Sequence, residues 1–150
     1  MGRGKGGYTT IQTNYKDSGG RKVTDKGTIF VAERYIDLGY EVVFRQRQDE
    51  IDKKNFDLTI KTSDDKDFVK DIEVKKTTTT KSSQLAKNII EAFDQVGKNG
   101  TVAIYLPNRD KNSKEVINYL NAGYQEAKRK ISFTGEVEVW FDDKSKIVMK

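Results

Sequence analysis

The apolar positions of this chain change period several times, and each change marks an element. Residues 28–38, TIFVAERYIDL, place apolar side chains at helical spacing and run into Gly39, a helix stop signal. Residues 41–47, EVVFRQR, then read as a strand. After the polar stretch QDEIDKKN, the segment FDLTIKT alternates strictly, with Phe56, Leu58 and Ile60 on one side and Asp57, Thr59 and Lys61 on the other. The turn SDDKD leads into FVKDIEVKK, residues 68–76, where Ile72 and Val74 oppose Asp71, Glu73 and Lys75.

Beyond a run of four threonines, residues 83–96 form the clearest helix, its apolar arc made by Leu85, Ile89, Ala92, Phe93 and Val96 and closed by Gly97. TVAIYLP is almost continuously apolar, as in a strand buried on both faces. A last helix over 113–130 carries Val116, Leu120, Tyr124 and Ala127 on one stripe, and EVEVWFDD with KIVMK closes the chain as a hairpin. This order predicts an α/β fold with a mixed central sheet flanked by helices. Tyr105, Trp140 and Phe141 are assigned to its core rather than to base stacking. The basic run 127–130, AKRK, reads as a helix C-terminus complemented by cations, with phosphate contact as the alternative.

Pairing FDLTIKT with FVKDIEVKK across SDDKD directs both apolar sets to one core, which puts Asp57, Glu73 and Lys75 together on the opposite face. Such a group suits phosphodiester chemistry. Hard divalent cations take oxygen ligands, often only one or two carboxylates, and leave the rest of the shell to water and phosphate. Asp57 and Glu73 are the expected main ligands, with the Val74 carbonyl as a third. Lys75 is placed to orient or deprotonate a water and to stabilise charge on the phosphate. The competing reading is a solvated strand edge with an ordinary Glu/Lys pair.

Composition narrows the chemistry. The chain has no histidine and no cysteine, which excludes Ser/His and Cys/His nucleophiles and zinc sites of the His/Cys type, and leaves carboxylates, lysines, tyrosines and oxygen-ligated metals. At 150 residues it is the size of one domain. Residues 1–27 hold six basic residues against two acidic, supplying +4 of the net +5, and seven of the 12 glycines. The expected division is therefore a flexible basic arm over 1–27 and a single domain over 28–150, the arm serving either polyanion binding or only solubility. No run approaches a membrane span and the N-terminus lacks a signal-peptide core, so the expectation is a soluble domain, of a kind that can be excised from a longer protein.

With Asp57 followed by IEVKK, a helix upstream, and a helix then a buried strand downstream, residues 28–107 resemble the PD-(D/E)xK nuclease superfamily. The resemblance implies a restriction-endonuclease-like core of order αβββαβ, here extended by a C-terminal helix and hairpin. The small size, the basic glycine-rich lead-in and AERYIDLGYEV are similar to the C-terminal toxin domains of contact-dependent growth inhibition and related polymorphic toxins. Many of those are tRNA nucleases paired with an immunity protein.

Carried over by residue, Asp57 corresponds to the motif aspartate, Glu73 and Lys75 to the ExK pair, and Glu33 to a first-helix glutamate. Phe56 stands where the name-giving proline would be. Glu33 lies at the border of its helix's apolar arc, where an ordinary amphipathic helix also tolerates a glutamate. Thr78, Thr80 and Lys81 lead to a helix N-terminus able to hold phosphate, with Ser82 or Ser83 as N-cap, and Gln84 and Lys87 lie where related nucleases often place a polar site residue.

The resemblance further implies Mg²⁺, with Mn²⁺ or Zn²⁺ as alternatives, an RNA substrate of the tRNA class, and delivery from a secreted or cell-surface toxin into the cytoplasm of a target bacterium. It also implies an immunity protein, expected to present acidic groups to Lys75, Lys76 and Lys81. A DNA endonuclease of repair, restriction or resolvase type, and a non-catalytic nucleic-acid-binding module, are the alternatives. Oligomeric state is left open by the residues.

Overall fold

The computed structural model describes residues 15–45, 56–64 and 67–150. Three helices and six strands follow in the order α1 (Lys26–Asp37), β1 (Tyr40–Phe44), β2 (Leu58–Thr62), β3 (Phe68–Lys76), α2 (Ser82–Val96), β4 (Thr101–Leu106), α3 (Lys114–Lys130), β5 (Val137–Phe141) and β6 (Lys146–Val148). The strands form one mixed sheet in sequence order, β1-β2-β3-β4-β5-β6. β1, β2 and β3 pair antiparallel, β3, β4 and β5 pair parallel through α2 and α3, and β6 returns antiparallel at the far edge. The expected α/β class with a mixed sheet flanked by helices holds.

Local chemistry fixes the helix ends. Asp25 caps α1, its Oδ2 accepting from the Thr28 amide at 2.8 Å and the Thr28 hydroxyl at 2.7 Å. Gly39 at φ 97° and Gly97 at φ 94° end α1 and α2 in the left-handed region that favours glycine. Ser113 caps α3 through the Val116 amide, and Lys128, Arg129 and Lys130 sit in its last turn, where cations complement the exposed carbonyls. Lys81 occupies the N-cap of α2 with no side-chain bond, so neither Ser82 nor Ser83 caps it; Ser82 is already helical.

The sheet separates two apolar clusters. On one face α1 lays Val31, Ala32 and Tyr35 against Phe44, Leu58, Ile60, Ile72, Val74 and Ala103. On the other, α2 and α3 cover Val102, Ile104, Leu106, Val137, Val139 and Phe141. β3 therefore turns Ile72 and Val74 to α1, and its registry partners place Glu73 with Val102 and Lys75 with Ile104 on the α2 side. The boundary expected after residue 27 falls inside α1, and Tyr15 and Val23 pack against the α1 cluster. Residues 15–27 thus belong to the folded body; residues 1–14 lie outside the described residues. β1 ends at Phe44, and the last two residues of the strand expected over 41–47 also lie outside them. Among the described residues no helix is long and apolar enough to cross a membrane.

Glu138 on β5 is fully buried under α1. Tyr35 donates to both of its oxygens at 2.8 Å, Trp140 Nε1 donates at 2.9 Å, and Lys70 and Lys146 approach at 3.6 and 3.8 Å. Burial and this carboxylate together hold the Tyr35 phenol far above the ordinary tyrosine range. The cluster ties α1 to β3, β5 and β6, a polar lock that alternation alone did not announce.

Candidate active site

Asp57 lies in a bend just before β2 rather than within the strand. Its amide still donates to the Ile72 carbonyl at 3.0 Å, but its side chain takes over where the ladder stops: Oδ2 accepts from the Val74 amide at 2.8 Å. β3 runs on to Lys76 beyond this point, so a cavity opens between the start of β2, the second half of β3, the N-terminus of α1 and the last turns of α2.

This cavity, of about 290 Å³, is lined by Asp25, Phe56, Asp57, Glu73, Lys75 and Gln95, with Val74 between the two β3 residues. Glu73 is only 8% exposed, and its Oε2 lies 3.7 Å from Lys75 Nζ, an ion pair between side chains two apart on one face of the strand. The carboxylate holds the ammonium toward the cavity at that separation. Asp57 is fixed separately by the charge-assisted bond from the Val74 amide. The structure thus brings together Asp57, Glu73, Val74 and Lys75.

Asp25 joins them as the α1 N-cap. Both of its bonds to Thr28 use Oδ2, which directs the start of α1 at the cavity. A close approach makes this possible: a Cβ added at Gly27 would lie 3.0 Å from Lys76 Cβ and 3.6 Å from Val74 Cγ1. Gly27→Ala is accordingly expected to push the N-terminus of α1 away from β3. It should cost about 1 kcal/mol of stability, as for modest overpacking, while lowering the catalytic activity proposed for this cavity about tenfold or more through misplacement of its wall. Denaturant unfolding and initial rates on the same preparation check this; equal activity of variant and parent would show that α1 does not position the site.

Several expected site residues are elsewhere. Glu33 does not line the cavity. It lies two turns along α1 from Asp25, its carboxylate accepting from the Tyr15 hydroxyl at 3.3 Å, and partial burial raises its pKa above the usual carboxylate range. Thr78, Thr80, Lys81, Gln84 and Lys87 are exposed at the opposite end of α2 and none lines the cavity. Gln84 spends its amide on Asn88 within the helix, and the threonine loop is held by Arg109, which donates to the Thr78 and Thr79 carbonyls. Tyr105 is only partly buried and stacks on Phe30 at 4.2 Å, and burial with a bond to Asp142 pushes its phenol up to about 12.

Set against protein-family models, curated proteins and solved structures, the chain matches none. Among the described residues no group of three or more acidic side chains is placed to hold a metal ion. What the cavity offers is three carboxylates, those of Asp25, Asp57 and Glu73, beside a lysine, with the neutral amide of Gln95 on the facing helix.

The residues missed by sequence reasoning are Asp25 and Gln95. Asp25 carried a readable signal, since an aspartate three residues before a threonine at a helix start is an N-cap. Gln95 lies four residues after Glu91 on the border of the apolar arc of α2, a pattern that marks a face but not which end of the helix meets the site.

Proposed function

We propose that the chain is a divalent-metal-dependent endonuclease acting on RNA, of the tRNA-cleaving toxin class it resembles. The observation that carries this reading is the convergence of Asp57, Glu73 and Lys75 on one cavity, with Lys75 Nζ 3.7 Å from Glu73. Supporting it is the element order from α1 to β4, helix, three strands, helix, strand.

The donor set suits a hard cation. Mg²⁺ binds through one or two carboxylates and keeps several waters, so Asp57 and Glu73 would hold it, with the Val74 carbonyl beside them and no third acid required. When bound, such an ion supplies Lewis-acid stabilisation of the charge that builds on the phosphate. The chain's own groups do the rest. The Val74 amide fixes the Asp57 carboxylate, Glu73 fixes the Lys75 ammonium, and Lys75 meets the scissile phosphate and the water that attacks it. Gln95 supplies an uncharged donor and acceptor on the opposite wall, fitted to orient that water.

Two further parts of the reading rest on the resemblance to toxin domains: RNA as substrate, and an immunity protein that blocks the cavity or its approach. The test is incubation of the purified chain with total RNA and with plasmid DNA, in Mg²⁺ and in EDTA. Discrete RNA fragments in Mg²⁺, lost in EDTA and regained on adding Mg²⁺ in excess, are expected. Full cleavage in EDTA would overturn the metal dependence, and cleavage of plasmid alone would move the substrate to DNA. Binding without cleavage in any metal would favour a non-catalytic module.

A further inference from the structure

A second cavity, of about 190 Å³, adjoins the first and shares Asp25 and Asp57 with it. Its other walls differ in kind. Val23 and Phe44 are apolar, Thr24 offers a hydroxyl, and Lys22 and Arg45 stand at its sides. A cation–π pair joins the two cavities: the Arg45 guanidinium sits over the Phe56 ring, 5.4 Å from its centre, and Phe56 lines the first cavity while Arg45 lines the second. The pair is held by backbone. Arg45 donates its amide to the Asp57 carbonyl at 2.8 Å, continuing the β1–β2 ladder past Phe44, so Arg45 is anchored opposite Asp57 and Phe56 directly precedes it.

We propose that this second cavity is the subsite for the nucleobase next to the scissile phosphate, and that the Arg45 guanidinium, backed from the first cavity by the Phe56 ring, is its platform. The inference rests on the nuclease reading of the neighbouring cavity and deepens it. Charge decides which part of a nucleotide enters. With Asp17, Asp25 and Asp57 all on its walls, the cavity repels a phosphate, whereas a neutral flat base gains from the apolar walls and from the guanidinium plane. Asp17 spends Oδ1 on the Gly19 and Arg21 amides of its own turn. Lys22, exposed, is left to meet phosphates at the rim. A base can enter such a slot only when it is unstacked, so single-stranded RNA and loops are the substrates the subsite admits, and paired stems are not.

The test separates base recognition from general attraction to polyanion. Binding of a single-stranded oligoadenylate and of an abasic sugar-phosphate oligomer of equal length is measured by fluorescence anisotropy in EDTA, and the ratio of the two affinities is the readout. The parent is expected to favour the base-bearing oligomer about tenfold, the scale of one stacked base. Arg45→Ala and Phe56→Leu should bring that ratio close to one, and Phe56→Tyr, which keeps the ring, should preserve it. Lys22→Ala should weaken both oligomers equally and leave the ratio unchanged. A parent ratio near one, or an unchanged ratio in Arg45→Ala and Phe56→Leu, overturns the subsite; if that parent still cleaves RNA in Mg²⁺, the nuclease reading stands without it. Failure to bind either oligomer, with no cleavage of RNA or DNA in Mg²⁺, overturns both.

Discussion

Glu73→Gln is expected to lower RNA cleavage by about 10²–10⁴-fold, the range spanned when one positioned catalytic group is removed. It takes away an oxygen donor of the proposed cation site and, in the same step, the anchor 3.7 Å from Lys75 Nζ. Asp57→Asn and Lys75→Ala are expected to fall in the same range. Stability should change little by comparison. The Asn side chain still offers an acceptor to the Val74 amide, and Lys75 is half-buried at the cavity rim and able to reach solvent. Cleavage rates measured beside the folded fraction, from circular dichroism at the assay temperature, decide the matter. If residual activity in all three variants simply follows the folded fraction, these residues are structural and the active-site reading is lost.

Glu138→Ala should do the reverse, costing stability wherever chemistry is measured. Removing one partner of a buried, bonded charge cluster costs about 3–5 kcal/mol, here by leaving the Tyr35 hydroxyl and Trp140 Nε1 without their acceptor beneath α1. In a chain of this length that corresponds to a fall in Tm of about 10 °C. The alkaline limb gives a second check with a definite sign. Tyr35 and Tyr105 both have pKa values raised in the folded state, Tyr105 to about 12. The stability linked to them is fully present below the ordinary tyrosine value near pH 10 and drains away as pH rises above it. Tyr35→Phe should flatten that decline. A loss below about 1 kcal/mol in Glu138→Ala, the scale of an exposed pair, would show that the lock carries no weight.

The central strand could be read from the sequence because its alternation is short, strict and flanked by turn residues. Both ends of β3, at residues 68 and 76, fall where the pattern puts them, and so do the two faces. Asp57 was legible as a neighbour of Glu73 but not as a residue just outside the ladder, since alternation does not say where backbone pairing gives way to a side-chain bond. Glu33 and Asp25 show a different limit. Both are acids of the first helical region, and only the tight approach at Gly27 decides that the helix meets the site by its N-terminus.

Gln84 and Lys87 lie away from the cavity for a reason of direction. α2 runs back antiparallel to β3, as a parallel crossover requires, so its start lies beyond the end of the strand and its last turns return to the level of Glu73. The Glu138 cluster was illegible altogether. An acid alternating with valines on β5 looks solvated until α1, distant in sequence, covers it with Tyr35.

The bond from the Val74 amide to Asp57 has an evolutionary consequence. Active-site groups are commonly kept at some expense to stability, so that their loss makes a protein sturdier and drift toward an inactive form is easy. Here the carboxylate proposed for the chemistry also closes the sheet where β2 and β3 part. Selection then acts on Asp57 twice. A lineage that loses the activity, for example by acquiring alanine at this position, gains no sturdiness in exchange, because an amide in mid-strand is left without its acceptor. Asparagine is the exception: it keeps the closure while dropping the charge, and it marks the route by which an inactive descendant of this fold would persist.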